Sequence, residues 1–328
     1  MPLIVTLGEA LIDFVADVAG VTLAECPGFR KAPGGAPANV AVGVARLGGE
    51  AAFVGKVGDD PFGRFLVATL AAAGVDTRGI RYDSEARTGL AFVSLTATGE
   101  RDFVFYRHPS ADMRLRPEEL PATLIDSCAV CHFGSISLIA EPCRSAHLAA
   151  AERARVAGAR ITYDPNLRPP LWPSLAHARS AILDFLPQAH WVKVSEEEAE
   201  FLLGPGSPPA WAEALLARGP ELVCITLGAS GCYLATPHAS ASVPGFAVDV
   251  VDTTGAGDAF VAALLVQGAT EAPLDDAEWL TAAGRFACAA GALTCTRKGA
   301  IPALPRRDEV VALLARGNES PPSSRHTG

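Results

Sequence analysis

Charge is scarce in this chain: Asp, Glu, Lys and Arg make up 19 % of the 328 residues, and acids outnumber bases for a formal net charge of −9. No clustered basic face is visible, which argues against a nucleic-acid or anionic-membrane surface and leaves the net charge a role in solubility. No apolar run approaches membrane-spanning length. The opening "MPLIVTLGEALIDF" is broken by Glu9 and Asp13 and has no basic start, so no signal peptide is expected. Cys128 and Cys131 in "SCAVCHFGSIS" have redox or zinc spacing, but no second CxxC accompanies them and their flanks are apolar and strand-like. With His132 beside them, they read as packed core residues. The eight cysteines, scattered through segments such as "LVCIT" and "RFACAAGALTC", read as small buried hydrophobes in a reducing cytoplasm, where the protein is expected to reside. Two nucleotide fingerprints are missing as well, the P-loop GxxxxGK[ST] and a GxGxxG after the first strand. A bound nucleotide would therefore be held by another design, and a nicotinamide-dependent dehydrogenase loses its main support. No internal repeat is found.

What is present is apolar: 49 % of residues are hydrophobic, the composition of a folded globule. The length suits one large α/β domain with a smaller elaboration as well as it suits two domains. Short strands such as "LIVTLG", "AAFVGKVG", "AVCHFGS", "ARITYDP", "HWVKVS" and "ELVCITLG" alternate with helical stretches such as "NVAVGVARLGG", "DPFGRFLVATLAAAG", "CRSAHLAAAERARVAG" and "PAWAEALLARG". That rhythm predicts a parallel sheet covered on both faces. Residues 87–107 break it, alternating with period two around a turn at "ATGE", the pattern of a β-hairpin. Together with residues 13–31, which lack helical periodicity, the hairpin is expected to form a small sheet standing over the main one as a lid. Phe92, Phe103 and Phe105 are expected on its inner face, with core packing as the alternative. The polar tail after Arg316 is expected to be disordered.

Ligands of open parallel sheets bind beyond the carboxyl ends of the strands, where loops run into helix N-termini. "DTTGAGDAFVAALLVQG" has that layout. Backbone N–H groups around Gly255, Ala256 and Gly257 would point at one spot, where the helix dipole favours negative charge. Asp258 beside them is a candidate general base, able to take a proton from a hydroxyl while the amides stabilise a transferring phosphoryl group. A plain helix cap is the alternative reading of that acid.

"DTTGAGDAF" resembles the C-terminal signature of the ribokinase-type (PfkB) carbohydrate kinase family, and "PGGAPANVAVGVARLGG" resembles its N-terminal one. The similarity continues through "GKVGDDPFG", "FYRHPSADM", "DPNLR", "KVSEEEAEFL", "ITLGASG" and "ALTCTRKGAIPALP", everything except the tail. The resemblance implies a ribokinase-like α/β fold over residues 1–316, with a mainly parallel central sheet flanked by helices and a β-sheet lid from about 13–31 and 87–107, followed by the tail at 317–328. It also implies ATP as phosphoryl donor, Mg2+, a K+ site, and lids that often pair into homodimers.

Carried over, Asp258 is the base and Gly255, Ala256 and Gly257 the anion hole. Asp13, Gly34, Gly35 and Asn39 are implied as sugar contacts. Their alternatives are a solvated loop acid for Asp13, a tight turn for the glycines and a helix cap for Asn39. Phe105, Arg107 and Arg168 are implied on the substrate side, with structural ion pairs as the alternative for the arginines. Lys193, Thr226, Gly228 and Gly231 match nucleotide positions, and the segment around Ala289 and Gly291 is expected by the adenine. Glu198 is implied at magnesium through water. Ser195 stands where the family's NxxE motif carries asparagine, a departure that some fructokinases share. Asp252 and Thr254, with carbonyls near Ala289, match the monovalent-cation site. The blocks as a whole resemble fructokinases most closely, which implies transfer to the 6-hydroxyl of D-fructose. A 2-keto-3-deoxygluconate kinase, using Arg107 and Arg168 on the substrate carboxylate, is the second reading. A non-catalytic sugar- or nucleotide-binding regulator is the third.

Overall fold

The computed structural model describes residues 1–18, 20–95, 101–270 and 273–316. Along the chain the strands and helices are Leu3–Leu7 (β1), Leu11–Ala16 (β2), Phe29–Gly34 (β3), Ala36–Arg46 (α1), Glu50–Gly58 (β4), Pro61–Ala72 (α2), Asp76–Asp83 (β5), Leu90–Leu95 (β6) and Arg101–Tyr106 (β7). Then follow Ala122–Ser127 (α3), Val130–Gly134 (β8), Cys143–Val156 (α4), Arg160–Asp164 (β9), Leu175–Phe185 (α5), Trp191–Ser195 (β10), Glu196–Leu203 (α6), Pro208–Leu216 (α7) and Leu222–Thr226 (β11). The chain closes with Cys232–Ala235 (β12), Ser240–Val243 (β13), Ala256–Gly268 (α8), Ala277–Cys295 (α9) and Arg307–Arg316 (α10).

Among the described residues, nine strands form one sheet in the order β13-β12-β11-β10-β9-β8-β1-β4-β5. The pairings from β5 through β11 are parallel, whereas β12 and β13 join antiparallel at one edge. The expected parallel sheet is present, and the antiparallel edge is an addition to it. Successive side chains of the parallel strands enter opposite cores, as in Ile4 against Val5 and Trp191 against Val192. One core packs α1, α2, α8, α9 and α10; the other packs α3 to α7. Helix ends follow local chemistry: Asp60 accepts from the N–H groups of Phe62 and Gly63 at 2.9 Å to start α2, with Pro61 in its first turn.

Helix α8 is different in kind. From Asp258 to Val266 every residue is buried, so it runs through the core with no solvent face, fixed by α1 on one side and α9 on the other.

The small sheet has the order β3-β2-β6-β7, with β2 antiparallel to β3 and parallel to β6. It combines the expected hairpin with strands from the 13–31 region, while the hairpin's turn at "ATGE" and the tail lie outside the described residues. Register decides its faces. Asp13 pairs with Ala32 and Ala91, and Ala91 pairs with Phe105, so these four share one face. Phe92 pairs with Phe14 and Val104 and therefore lies on the other face. There its ring stacks on Phe14 (centroids 4.9 Å apart) and meets Phe29 and Tyr106 edge-on, while Phe14 also touches Phe62 of α2. The expectation that Phe92 would share the inner face with Phe105 is thus corrected. Residues of equal parity on β6 and β7 pair and face the same way, so the even-numbered Phe92 and the odd-numbered Phe105 lie on opposite faces.

Candidate active site

The carboxyl ends of β1, β9, β10 and β11, the N-terminus of α8 and the Asp13 face of the small sheet converge on one region. At its centre Asp258, in the first turn of α8, is buried and accepts a hydrogen bond from Asn39 Nδ2 at 2.7 Å. Burial pushes its carboxyl up to about 6, against the Asn39 hydrogen bond and the charges of Arg168 and Lys193, while Asp164 adds to the rise. Asp13 is lifted to about 7 by burial, opposed by Arg168 and reinforced by Asp258. Asp13, Asp258 and Arg168 therefore share one electrostatic neighbourhood although they come from β2, α8 and the loop after β9.

The glycine turn opens α8 where the sequence places it, and its amides differ from one another. Gly255 caps α8 in the left-handed region (φ 83°), and a Cβ there would lie 2.9 Å from the Cα of Ala300. The reversal brings the Ala256 N–H over Thr253 O at 3.3 Å, so Ala256 closes the turn instead of offering its amide freely. The N–H groups of Gly257 and Asp258, in the first helical turn, have no intrahelical carbonyl to reach and carry the dipole's positive end. A Cβ on Gly257 would lie 3.5 Å from Lys193 Nζ, which places an ammonium beside those amides.

On the Asp13 side, Gly34 is needed for close approach: a Cβ would fall 2.2 Å from Asp13 Oδ2. Gly35 caps α1, whose next turn presents Asn39 to Asp258. Asn39 Oδ1 is buried with no hydrogen-bond partner among the described residues. Behind the turn, Glu9 accepts from the Ala36 N–H at 3.1 Å. Burial raises the Glu9 carboxyl to about 7, with Arg107 opposing. Arg107 itself lies one layer back, fully buried, giving Nε and Nη2 to Asp112, whose other oxygen accepts from Ser110 Oγ. Phe105 is half-buried on the Asp13 face.

Of the residues expected at the nucleotide, Lys193, Ser195 and Glu198 line a cavity of about 310 Å³ together with Asn166, Leu167, Arg168, Pro169 and Glu197, whereas Thr226, Gly228, Gly231, Ala289 and Gly291 do not. Ser195 and Glu198 form a reciprocal cap on α6: Ser195 Oγ accepts from the Glu198 N–H at 3.2 Å and Glu198 Oε2 from the Ser195 N–H at 2.8 Å. Glu198 Oε1 also accepts from the Leu167 N–H at 2.7 Å, tying α6 to the loop that carries Arg168. With a backbone N–H on each oxygen, Glu198 suits a metal contact made through water better than direct ligation. Thr226 ends β11, and Gly228 and Gly231 sit in the turn after it with positive φ. Ala289 is wholly buried where α9 packs on α8, and Gly291 faces the backbone of Ala256. Asp252 Oδ1 accepts from Thr254 N and Oγ1 at 2.9 and 2.7 Å, and Oδ2 from the Gly299 N–H at 2.8 Å, bracing the turn in front of the cradle.

The sequence reading passed over Asp164, Asn166, Glu9 and Asp112. Asp164 and Asn166 stand inside the quoted "DPNLR", and an acid closing a parallel strand was the available signal. Nothing in the sequence marked Asp112 as the partner of Arg107.

Comparison with known proteins agrees with this arrangement. The family model described as pfkB family carbohydrate kinase matches residues 1–307. Fructokinase-1 of Zea mays is 56 % identical over 314 residues, 95 % of this chain and 97 % of that protein. The structure of Xylella fastidiosa fructokinase with bound ATP superposes with a TM-score of 0.88 at 38 % identity, covering 97 % of this chain and 99 % of that one. A double mutant of Vibrio cholerae O395 fructokinase, with fructose, ADP and potassium bound, gives 0.86 at 38 % identity over 96 and 98 % of the two chains. The fold is accordingly ribokinase-like, and the chain belongs to the pfkB family of carbohydrate kinases and is a sugar kinase.

Proposed function

We propose that the protein transfers the γ-phosphoryl group of ATP to the 6-hydroxyl of D-fructose, with Asp258 as general base and the Gly255–Gly257 turn as anion hole, its free donors being the N–H groups of Gly257 and Asp258. The observation that carries the reading is the buried Asp258 carboxylate at the α8 N-terminus, hydrogen-bonded to Asn39 and lifted to about 6, beside amides and an ammonium suited to phosphoryl charge. A base titrating near neutrality fits a hydroxyl that must lose its proton as phosphoryl transfer proceeds. Asp13 and the unpartnered Asn39 Oδ1 supply acceptors for sugar hydroxyls. Relatives named fructokinases support fructose as the acceptor.

Charge favours the neutral sugar over 2-keto-3-deoxygluconate. A keto-acid would bring its carboxylate toward Asp13, and one of the two arginines meant to receive it, Arg107, is already neutralised by Asp112. Divalent metal would accompany ATP near Ser195 and Glu198, neutralising the phosphates, and a monovalent cation would sit by Asp252 and Thr254. The test is a panel of ATP-dependent phosphorylation with fructose, 2-keto-3-deoxygluconate, ribose and adenosine, with and without potassium. Fructose is expected to give the highest kcat/KM; a larger value for the keto-acid would overturn the assignment, and no turnover with any sugar would favour a binding-only regulator.

A further inference from the structure

We infer that Asp164 is a positioning residue for the transfer step, holding the Lys193 ammonium against the first turn of α8 where the moving phosphoryl group lies. The inference rests on the kinase reading above. Strands β9 and β10 pair in parallel, Val192 opposite Tyr163, and one step further along the pair Asp164 closes β9 beside Lys193. Lys193 Nζ donates to Asp164 Oδ2 at 3.1 Å and to Oδ1 at 3.3 Å, with both side chains buried. On its other side Nζ lies 3.5 Å from where a Gly257 Cβ would be, next to the amide cradle.

A lysine side chain has a flexible four-carbon stem and a compact charge, so the buried position of that charge is set by its partner. Removing the carboxylate takes away the hydrogen-bonded counter-charge and leaves the ammonium to the Glu198 and Asp258 carboxylates, toward which it then shifts. Asp164 is itself fixed from a second direction, since Oδ1 accepts from the N–H of Asn166, a non-glycine residue in the left-handed region (φ 47°). The same carboxylate thus shapes the loop leading to Arg168. The two charges act on Asp258 with opposite sign: Asp164 raises its carboxyl and Lys193 lowers it.

D164N, K193Q and the double variant separate this role from a purely structural one. Each single variant is expected to lower kcat about 10²-fold, and the double variant no more than about tenfold beyond the worse single, because both remove one device. The acid limb of kcat/KM is expected to move to higher pH in K193Q, and to lie at lower pH in the double variant than in K193Q, because Asp164 raises the Asp258 carboxyl. Multiplicative losses in the double variant, or an acid limb there no lower than in K193Q, would show that Asp164 serves only the loop and overturn the inference. If D164N does not fold, D164E replaces it in the cycle and is held to the same non-multiplicative criterion. Failure of the fructose assignment reads differently, as a parent enzyme that prefers another sugar; the cycle is then run on that sugar. Should no sugar turn over, the cycle is read on ADP affinity by calorimetry, where non-additive effects support the inference and additive ones overturn it.

Discussion

At the scale of single residues, the site is a set of charges kept out of water and balanced against one another. Asp258 has its folded-state carboxyl raised to about 6 from an ordinary value near 3.8, first by burial. A base must be deprotonated to act, so kcat/KM is expected to fall as pH drops through about 6 to 7, the interval set by Asp258 and Asp13; a profile flat down to pH 5 would contradict the assignment. The same shift bears on stability. A carboxyl raised in the folded state favours folding fully below the unfolded value near 4, and that contribution is lost as pH rises through about 6. Asp258→Asn removes the buried charge and keeps an acceptor for Asn39. It is expected to cost about 10²–10⁴-fold in kcat, with fructose affinity largely kept, while raising stability at pH 8 by on the order of 1–3 kcal/mol in denaturant melts. The placing of Asp258 at the head of a buried helix was legible in the sequence, from a glycine turn followed by an apolar run, while its role was open there because a plain helix cap fits the same string. Arg107 was not legible: its partner Asp112 is five residues away through a turn, and no periodicity marks such a pair.

At the scale of elements, the cradle depends on how α8 begins. Gly255 combines a left-handed backbone with contact to Ala300, so Gly255→Ala adds both strain and a clash. The expected result is a loss of roughly 1–3 kcal/mol in stability together with a fall in kcat, as the amides turn away from the phosphoryl site. Unchanged kcat would show that the turn tolerates rearrangement. The strand-helix alternation was readable because buried parallel strands are short apolar runs flanked by glycine and polar turns. The faces of the hairpin were not readable, since which of Phe92 and Phe105 faces inward depends on a turn whose length fixes register. The antiparallel edge β12–β13 escaped for a similar reason: two four-residue strands give little pattern to count.

At the scale of the whole molecule, the small sheet contributes Asp13 and the Phe105 face while the large sheet and its helices contribute Asp258, Lys193 and the glycine turn. Fructose with a non-hydrolysable ATP analogue is expected to slow amide hydrogen exchange in β6 and β7, described here as residues 90–95 and 101–106; exchange that is indifferent to both ligands would argue against closure. The two-sheet plan itself was legible, since residues 87–107 depart so plainly from the helical rhythm around them.

Helix α8, sealed in the core along its length, leaves the Asp258 carboxylate nowhere to retreat. Asp13 rides on the other sheet, and the Asp258 charge adds to the rise of the Asp13 carboxyl. Where the two sheets meet, like-charge repulsion between these carboxyls is eased by binding a proton, and a bridging hydroxyl would ease it in the same way.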